Sequence, residues 1–191
     1  MKLLTFTACA VLLALSGQVL ANDNLSTIEQ VGSNNTASVE QTGVGNTNNS
    51  TLIQFGGGHL HTATVQQQGV GNTNSSYATQ WGTAHSLEII QDGEGNENTS
   101  TLSQTGFAES AIIDQNGTDN TNRSTVRSET GGANDVSVTQ YGSDNENESV
   151  MTVDAHDSSV SVEQYGTDNS NHSAVHVGPG SASSSVSIVQ N

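Results

Sequence analysis

The stretch GVGNTNSSYATQWGTAHSLEIIQDGEGNENTS, residues 69–100, decides the fold. It begins on GVGNTNSS at 69–76 and ends on GEGNENTS at 93–100, the same element returning after an intervening segment. Between them Leu87, Ile89 and Gln91 fall on one phase and Glu88 on the other. A period of two over five or six residues is the pattern of a half-buried strand. No apolar stripe returns at three and four residues, so a helix is excluded. Gly93 stands two places past Gln91, where the chain must turn sharply and a residue without Cβ takes positive φ without strain.

Working outward, G-x-x-N-x-N-x-S recurs at 43–50, 69–76, 93–100, 117–124, 142–149 and 166–173. The step from each start to the next is nearly constant. A finer marker, Q-x-G, occurs at Gln30, Gln41, Gln54, Gln67, Gln80, Gln91, Gln104, Gln115, Gln140 and Gln164. The first eight are separated by one of two steps, the shorter as from Gln30 to Gln41 and the longer as from Gln41 to Gln54. Continuing in the same way lands on Ser128, Val153, Val177 and Gln190. The strand alternation precedes the marker throughout, as in Ala37-Val39-Gln41, Leu102-Gln104, Val136-Val138-Gln140 and Val186-Ile188-Gln190. The turn positions are Gly32, Gly43, Gly56, Gly69, Gly82, Gly93, Gly106, Gly117, Gly142 and Gly166. A further row of asparagines lies at Asn35, Asn46, Asn72, Asn96, Asn120, Asn145 and Asn169.

A fixed period of this length signals a solenoid, in which each unit buries its face only against its neighbours. The expected fold is all-β: an amyloid-like β-solenoid of stacked strand–turn–strand repeats of about 24 residues. Successive units should stack about 4.8 Å apart with equivalent residues in register. The glutamines through Gln190 then form a structural ladder, each inward amide bonded to the same amide one layer up and one layer down. Such a ladder satisfies polar groups that are costly to bury alone. Rows of Val, Ile, Leu and Ala supply the hydrophobic contact between the two sheets.

Composition narrows the function. The chain is rich in Gly, Asn, Ser, Thr and Gln and carries a net charge of −16. Low hydrophobicity with high charge usually signals disorder, but the regular repeat argues against it here. Residues 1–21 read as a secretory signal peptide: Lys2, an apolar run over 3–15, and Val19 and Ala21 at the cleavage positions. The mature chain then spans residues 22–191, with two arginines against nineteen acidic residues, a net charge of −17. Nucleic-acid binding needs a basic footprint, so no nucleic-acid partner is expected. Cys9 is the only cysteine and lies in the signal, so the mature chain goes to a disulfide-permitting compartment without a thiol.

These residues resemble the curlin family, the subunits of bacterial curli fibres. The family motif is Ser-x5-Gln-x-Gly-x-x-Asn-x-Ala-x3-Gln. Gln30, Gly32, Asn35, Ala37 and Gln41 match its latter part, and Asn24 takes the leading Ser place. In alternate arcs the Ala place is held by Asn48, Asn74, Asn98, Asn122, Asn147 and Asn171. The resemblance implies export through an outer-membrane pore of a Gram-negative bacterium. It also implies homopolymerisation by end-to-end stacking, a separate nucleator subunit, and an extracellular fibre supporting biofilm matrix and adhesion. This chain departs from the pattern in its very short leader, Asn22 to Asn24, in having about seven units where five are common, and in Thr130 at a turn glycine place.

Other readings carry less. His59, His61, His85, His156, His172 and His176 read as polar loop or strand residues, His61 on the inward phase and His176 on the outward. The turns GTDN at 117–120 and 166–169 and GSDN at 142–145 lack the calcium-binding nonapeptide, and an Asp in such a turn caps its own backbone. Trp81, Tyr141 and Tyr165 fall on the outward phase. No nucleophile elbow, zinc-protease helix or phosphate loop is present, so the expectation is a non-enzyme without metal or cofactor. The alternatives to a major fibre subunit are the nucleator and a monomeric secreted β-solenoid adhesin.

Overall fold

The computed structural model describes residues 11–12, 23–180 and 183–191, with the backbone alone at 11–12, 33, 56–59 and 130–131. The strands in chain order are β1 (Val11–Leu12), β2 (Asp23–Ser33), β3 (Thr36–Gln41), β4 (Thr47–His59), β5 (Thr62–Gln67), β6 (Thr73–Thr83), β7 (Ser86–Gln91) and β8 (Glu97–Phe107). They continue as β9 (Ser110–Thr118), β10 (Thr121–Gly132), β11 (Asp135–Ser143), β12 (Glu146–His156), β13 (Ser159–Thr167), β14 (Ser170–Val177) and β15 (Ser185–Gln190). Odd strands form one parallel sheet in the order β1-β3-β5-β7-β9-β11-β13-β15, and even strands form a second, β2 to β14. One even and one odd strand make a turn, and the chain is an all-β solenoid of seven turns. Within the segment read as a signal peptide, Val11 and Leu12 pair with Ala37 and Ser38 at the first edge of the odd sheet. The rest of that segment lies outside the described residues.

Register follows the sequence repeat. Gln54 pairs with Gln80 and Gln80 with Gln104, while Gln115 pairs with Gln140 and Gln140 with Gln164. The longer units place their excess at one corner. Val31 opposes Phe55 and Ser33 opposes His59, so β4 bulges by two places. Glu129 opposes Asp154 and Gly132 opposes His156, so β10 bulges by one. Bulges confine each mismatch locally, and the inward phase is recovered within the same turn.

Inward phases interlock between the sheets. Leu52, Ala78, Leu102, Val126 and Met151 line the even sheet, and Val39, Val65, Ile89, Ile113, Val138 and Val162 the odd one, all buried. Each fully buried Leu or Ile contributes about 1.5–3 kcal/mol. The end turns differ: Ile28 in β2 and Val186 and Ile188 in β15 are only partly buried. These rows would be closed off by one more turn.

Candidate functional site

The candidate site is the repeated polar lining of the solenoid and the two end turns. In the odd sheet, Gln41 Nε2 donates to Gln67 Oε1 at 2.8 Å, and the same bond links Gln67 to Gln91, Gln91 to Gln115, Gln115 to Gln140, Gln140 to Gln164 and Gln164 to Gln190. Every donor points toward the C-terminal end. Ser50, Ser100, Ser124 and Ser149 on the opposite sheet donate to the same glutamine oxygens, tying the two sheets together. The even sheet has a shorter ladder: Gln30 to Gln54, Gln54 to Gln80 and Gln80 to Gln104. Ser128, Val153 and Val177 occupy the next three places in register. Q-x-G is therefore two ladders on facing sheets, because consecutive markers lie on alternate strands.

The asparagine row works differently from an amide-on-amide ladder. Asn46 Oδ1 accepts the backbone N–H of Asn72 at 2.9 Å, and the pattern repeats through Asn96, Asn120, Asn145 and Asn169. Asn46 Nδ2 donates to Thr42 O and Gly69 O. Each side chain thus staples its own corner and the next turn. Asn35 does not belong to this row; it lies at the opposite corner, where its Oδ1 accepts the N–H of His61. A true side-chain amide ladder runs through the positions that replace Ala: Asn48 Nδ2 donates to Asn24 Oδ1, and the chain continues through Asn74, Asn98, Asn122, Asn147 and Asn171. Its donors point toward the N-terminal end, opposite to the glutamines.

Backbone geometry explains the turn residues. Gly32, Gly43, Gly69, Gly82, Gly93, Gly106, Gly117, Gly142 and Gly166 all have φ between 123° and 153°. A Cβ on Gly69 would lie 1.9 Å from Gly93 O and 2.4 Å from Asn72 Nδ2. The next turn's carbonyl and the stapling amide occupy that space. Gly56 lies within β4. Two places past the glycine row, Gly45, Gly71 and Gly95 at φ 65–66° give way to Asp119, Asp144 and Asp168 at φ 53–55°. Asp tolerates the left-handed region through local bonding, which accounts for the GTDN and GSDN turns. Among the described residues no group of three or more His, Cys, Asp or Glu is placed to hold a metal ion.

A family model for the curlin-associated repeat matches residues 20–43 and 131–166. Both segments carry the curlin-associated repeat. No curated protein and no solved structure matches the chain. The first matched segment holds Gln30, Gly32, Asn35, Ala37 and Gln41; the second holds Gln140, Gly142, Asn145 and Gln164. A match to this repeat is consistent with secretion from the cell.

One corner of the chain departs from the motif. Five places past Gln30 stands Asn35, but five past Gln80 stands His85 and five past Gln104 stands Glu109; His61 takes the same place after the β4 bulge. His61, His85 and Glu109 are all buried at 0–1 % exposure. The imidazole rings of His61 and His85 stack at 5.1 Å with planes 8° apart, and His85 Nδ1 lies 3.8 Å from Glu109 Oε2. Burial lowers both histidine pKa values and pushes that of Glu109 up to about 7. All three stand one residue before an odd strand, two places before the buried Ala63, Leu87 and Ala111, though only His61 is singled out as inward by the alternation. The five-place offset from the marker is the signal that finds them.

The outward aromatics lie where the phase places them: Trp81 and Tyr141 are exposed, and Tyr141 pairs in register with Tyr165. His176 is exposed. His172 Nδ1 lies 3.0 Å from Glu148 Oε2 on the outer face of the even sheet.

Proposed function

We propose that this chain is the major subunit of an extracellular curli-like amyloid fibre, built by end-to-end stacking on the surface of a Gram-negative bacterium. The observation that carries the proposal is the state of the end turns. Ile28, Val186 and Ile188 are half-buried, whereas their equivalents in the inner turns are buried. A strand edge left open accepts another chain. A second copy placing its β2 on β14 and its β3 on β15 continues both sheets with the inward phase unbroken. Removal of the signal peptide takes β1 with it and frees the edge of β3 for that contact. The glutamine ladder would then pass from Gln190 to Gln41 of the next copy with the same donor direction. The asparagine ladder would pass the opposite way, from Asn24 of that copy to Asn171. Two ladders of opposed polarity distinguish head from tail, so growth has one register and one sense.

In this reading residues 1–21 are a signal peptide and the fibre-forming chain is 22–191. The glutamine ladders, the turn glycines and the asparagine rows hold neighbouring turns in register. A nucleator subunit and an outer-membrane export pore are the expected partners, and the fibre supports biofilm matrix and adhesion. The test is an amyloid-dye time course on residues 22–191 diluted from denaturant, alone and with preformed fibres. A lag followed by growth, with the lag removed by seeds, is expected. A flat trace in both samples would refute the self-assembling major subunit and leave the nucleator or the monomeric adhesin.

A further inference from the structure

The corner row after the even strands reads Asn35, His61, His85, Glu109, Asn134, Ser158. In the opposite row each asparagine oxygen accepts the N–H of the next turn. Here an imidazole nitrogen does the same work. His85 N donates to His61 Nδ1 and Glu109 N donates to His85 Nδ1, both at 3.4 Å. His85 Nε2 lies 3.1 Å from Trp81 O, four places back, as Asn46 Nδ2 does from Thr42 O at 3.0 Å. Neutral His85 with the proton on Nε2 therefore imitates the asparagine carboxamide; His61 shares the Nδ1 bond, but its Nε2 has no hydrogen-bond partner. Adding a second proton turns Nδ1 into a donor facing a backbone N–H, in a buried corner, beside another ring. Glu109 has the converse problem: neither carboxyl oxygen has a hydrogen-bond partner of good geometry. Ionised, it is a buried charge beside a nitrogen that is already accepting a bond.

We propose that the buried His61–His85–Glu109 row is a pH-sensitive latch across turns two to four, tightest where both imidazoles and the carboxyl are neutral, loosened by acid through the two imidazoles and by rising pH through the carboxyl. No other titratable side chain is buried in the corner among the described residues; Asp157, beside Ser158, is exposed. Asn35 lies below His61, and Asn134 and Ser158 above Glu109. The inward groups of the packed even strands are Gln54, Gln80, Gln104 and Ser128, all neutral. Glu129 pairs with Arg127 on the exterior of β10, and His156 of β12 is exposed. On β7 and β9, Glu88 and Asp114 lie on the outward phase, away from the corner.

The signs follow from proton linkage. The histidines are depressed in the folded chain, so the unfolded chain takes up protons first, and stability falls as pH drops below 6.5. Glu109 keeps its proton to about pH 7 when folded but releases it near 4.5 when unfolded. Its contribution is therefore fully present below pH 4.5 and is lost as pH rises to about 7. The two halves are separable by mutation, and the latch is a property of the solenoid whether or not it polymerises.

The experiment is denaturant unfolding of the full chain's β-structure from pH 4 to pH 8.5, for the parent, H61N/H85N and E109Q. Relative to the parent, E109Q should gain stability progressively between pH 4.5 and 7, reaching about a hundredfold in the unfolding constant at pH 8. H61N/H85N should match the parent's pH dependence above pH 7 and lose less stability than the parent below 6.5. Offsets from the parent that do not change with pH overturn the proposal. A measurement on the parent alone guards against a variant that fails to fold. At pH 6, where an ordinary histidine is mostly protonated, the nitrogen-15 resonances of His61 and His85 should show an unprotonated Nδ1. Imidazolium signals from both rings at that pH would equally overturn it.

Discussion

Breaking the even-sheet glutamine ladder in its middle should cost more than removing its last rung, and the donor direction says by how much. Gln80→Val deletes the bond from Gln54 Nε2 to Gln80 Oε1 at 2.8 Å and the bond from Gln80 Nε2 to Gln104 Oε1 at 3.0 Å. Gln54 Nε2 retains Thr36 O, but Gln104 Oε1 loses its ladder donor. Two buried amides are left short of a partner, each at about 1–3 kcal/mol, so the cost is about 4 kcal/mol. Gln104→Val deletes one rung and the bond to Ser86 O, and Gln80 Nε2 retains Thr62 O. Only one side-chain amide is left short, and Ser128 and Val153 follow in register above. That variant should cost about 1–2 kcal/mol. Chemical denaturation of both variants, followed by loss of far-ultraviolet β signal, measures the difference. If Gln104→Val costs as much as Gln80→Val, the ladder is not a directed chain of bonds and the reasoning fails.

Other outcomes follow from single positions. Gly69→Ala places a methyl 1.9 Å from Gly93 O and should lose more than about 4 kcal/mol. Gly71→Ala, with φ 65° and nothing within 4 Å, should cost about 1–2 kcal/mol; thermal melts of the pair should separate widely. Leu102→Ala empties a fully buried place in the fourth turn and should cost about 2–5 kcal/mol by the same denaturation assay. Asp114 is raised by burial first, then by Asp92 and Glu88, and its Oδ1 has no hydrogen-bond partner. Its contribution is present below the ordinary Asp pKa of 3.8 and is lost as pH rises, so Asp114→Asn should stabilise the chain at pH 7 and leave it unchanged at pH 3. A variant equally stabilised at both pH values would refute that assignment.

Much of this was legible in the chain because a solenoid copies local pattern into tertiary structure. The repeat period, the two-residue alternation and the glycine two places past each glutamine specify strand, inward phase and corner within one unit. Stacking equal units then places Gln on Gln and Val on Val with no further information. The replacements at Ser128, Val153 and Val177 were visible for the same reason, since they sit on the repeat's own step.

What the repeat left open is what depends on contacts between turns and across the two sheets. One marker, Q-x-G, became two ladders of unequal length because consecutive strands belong to opposite sheets. Seven asparagines that look alike in sequence divided between two corners, and six of them bond the next turn's backbone rather than its side chain. The direction of each ladder, opposite for Gln and Asn, depends on which carbonyl each spare N–H meets. His85 and Glu109 sit in positions that read as loop, and only the folded corner shows them enclosed with His61 in a row otherwise held by neutral side chains. Local spacing determines which face a residue takes, because the backbone period is local. Burial, bond direction and proton affinity are set by the layers above and below, and those become neighbours only when the chain has coiled.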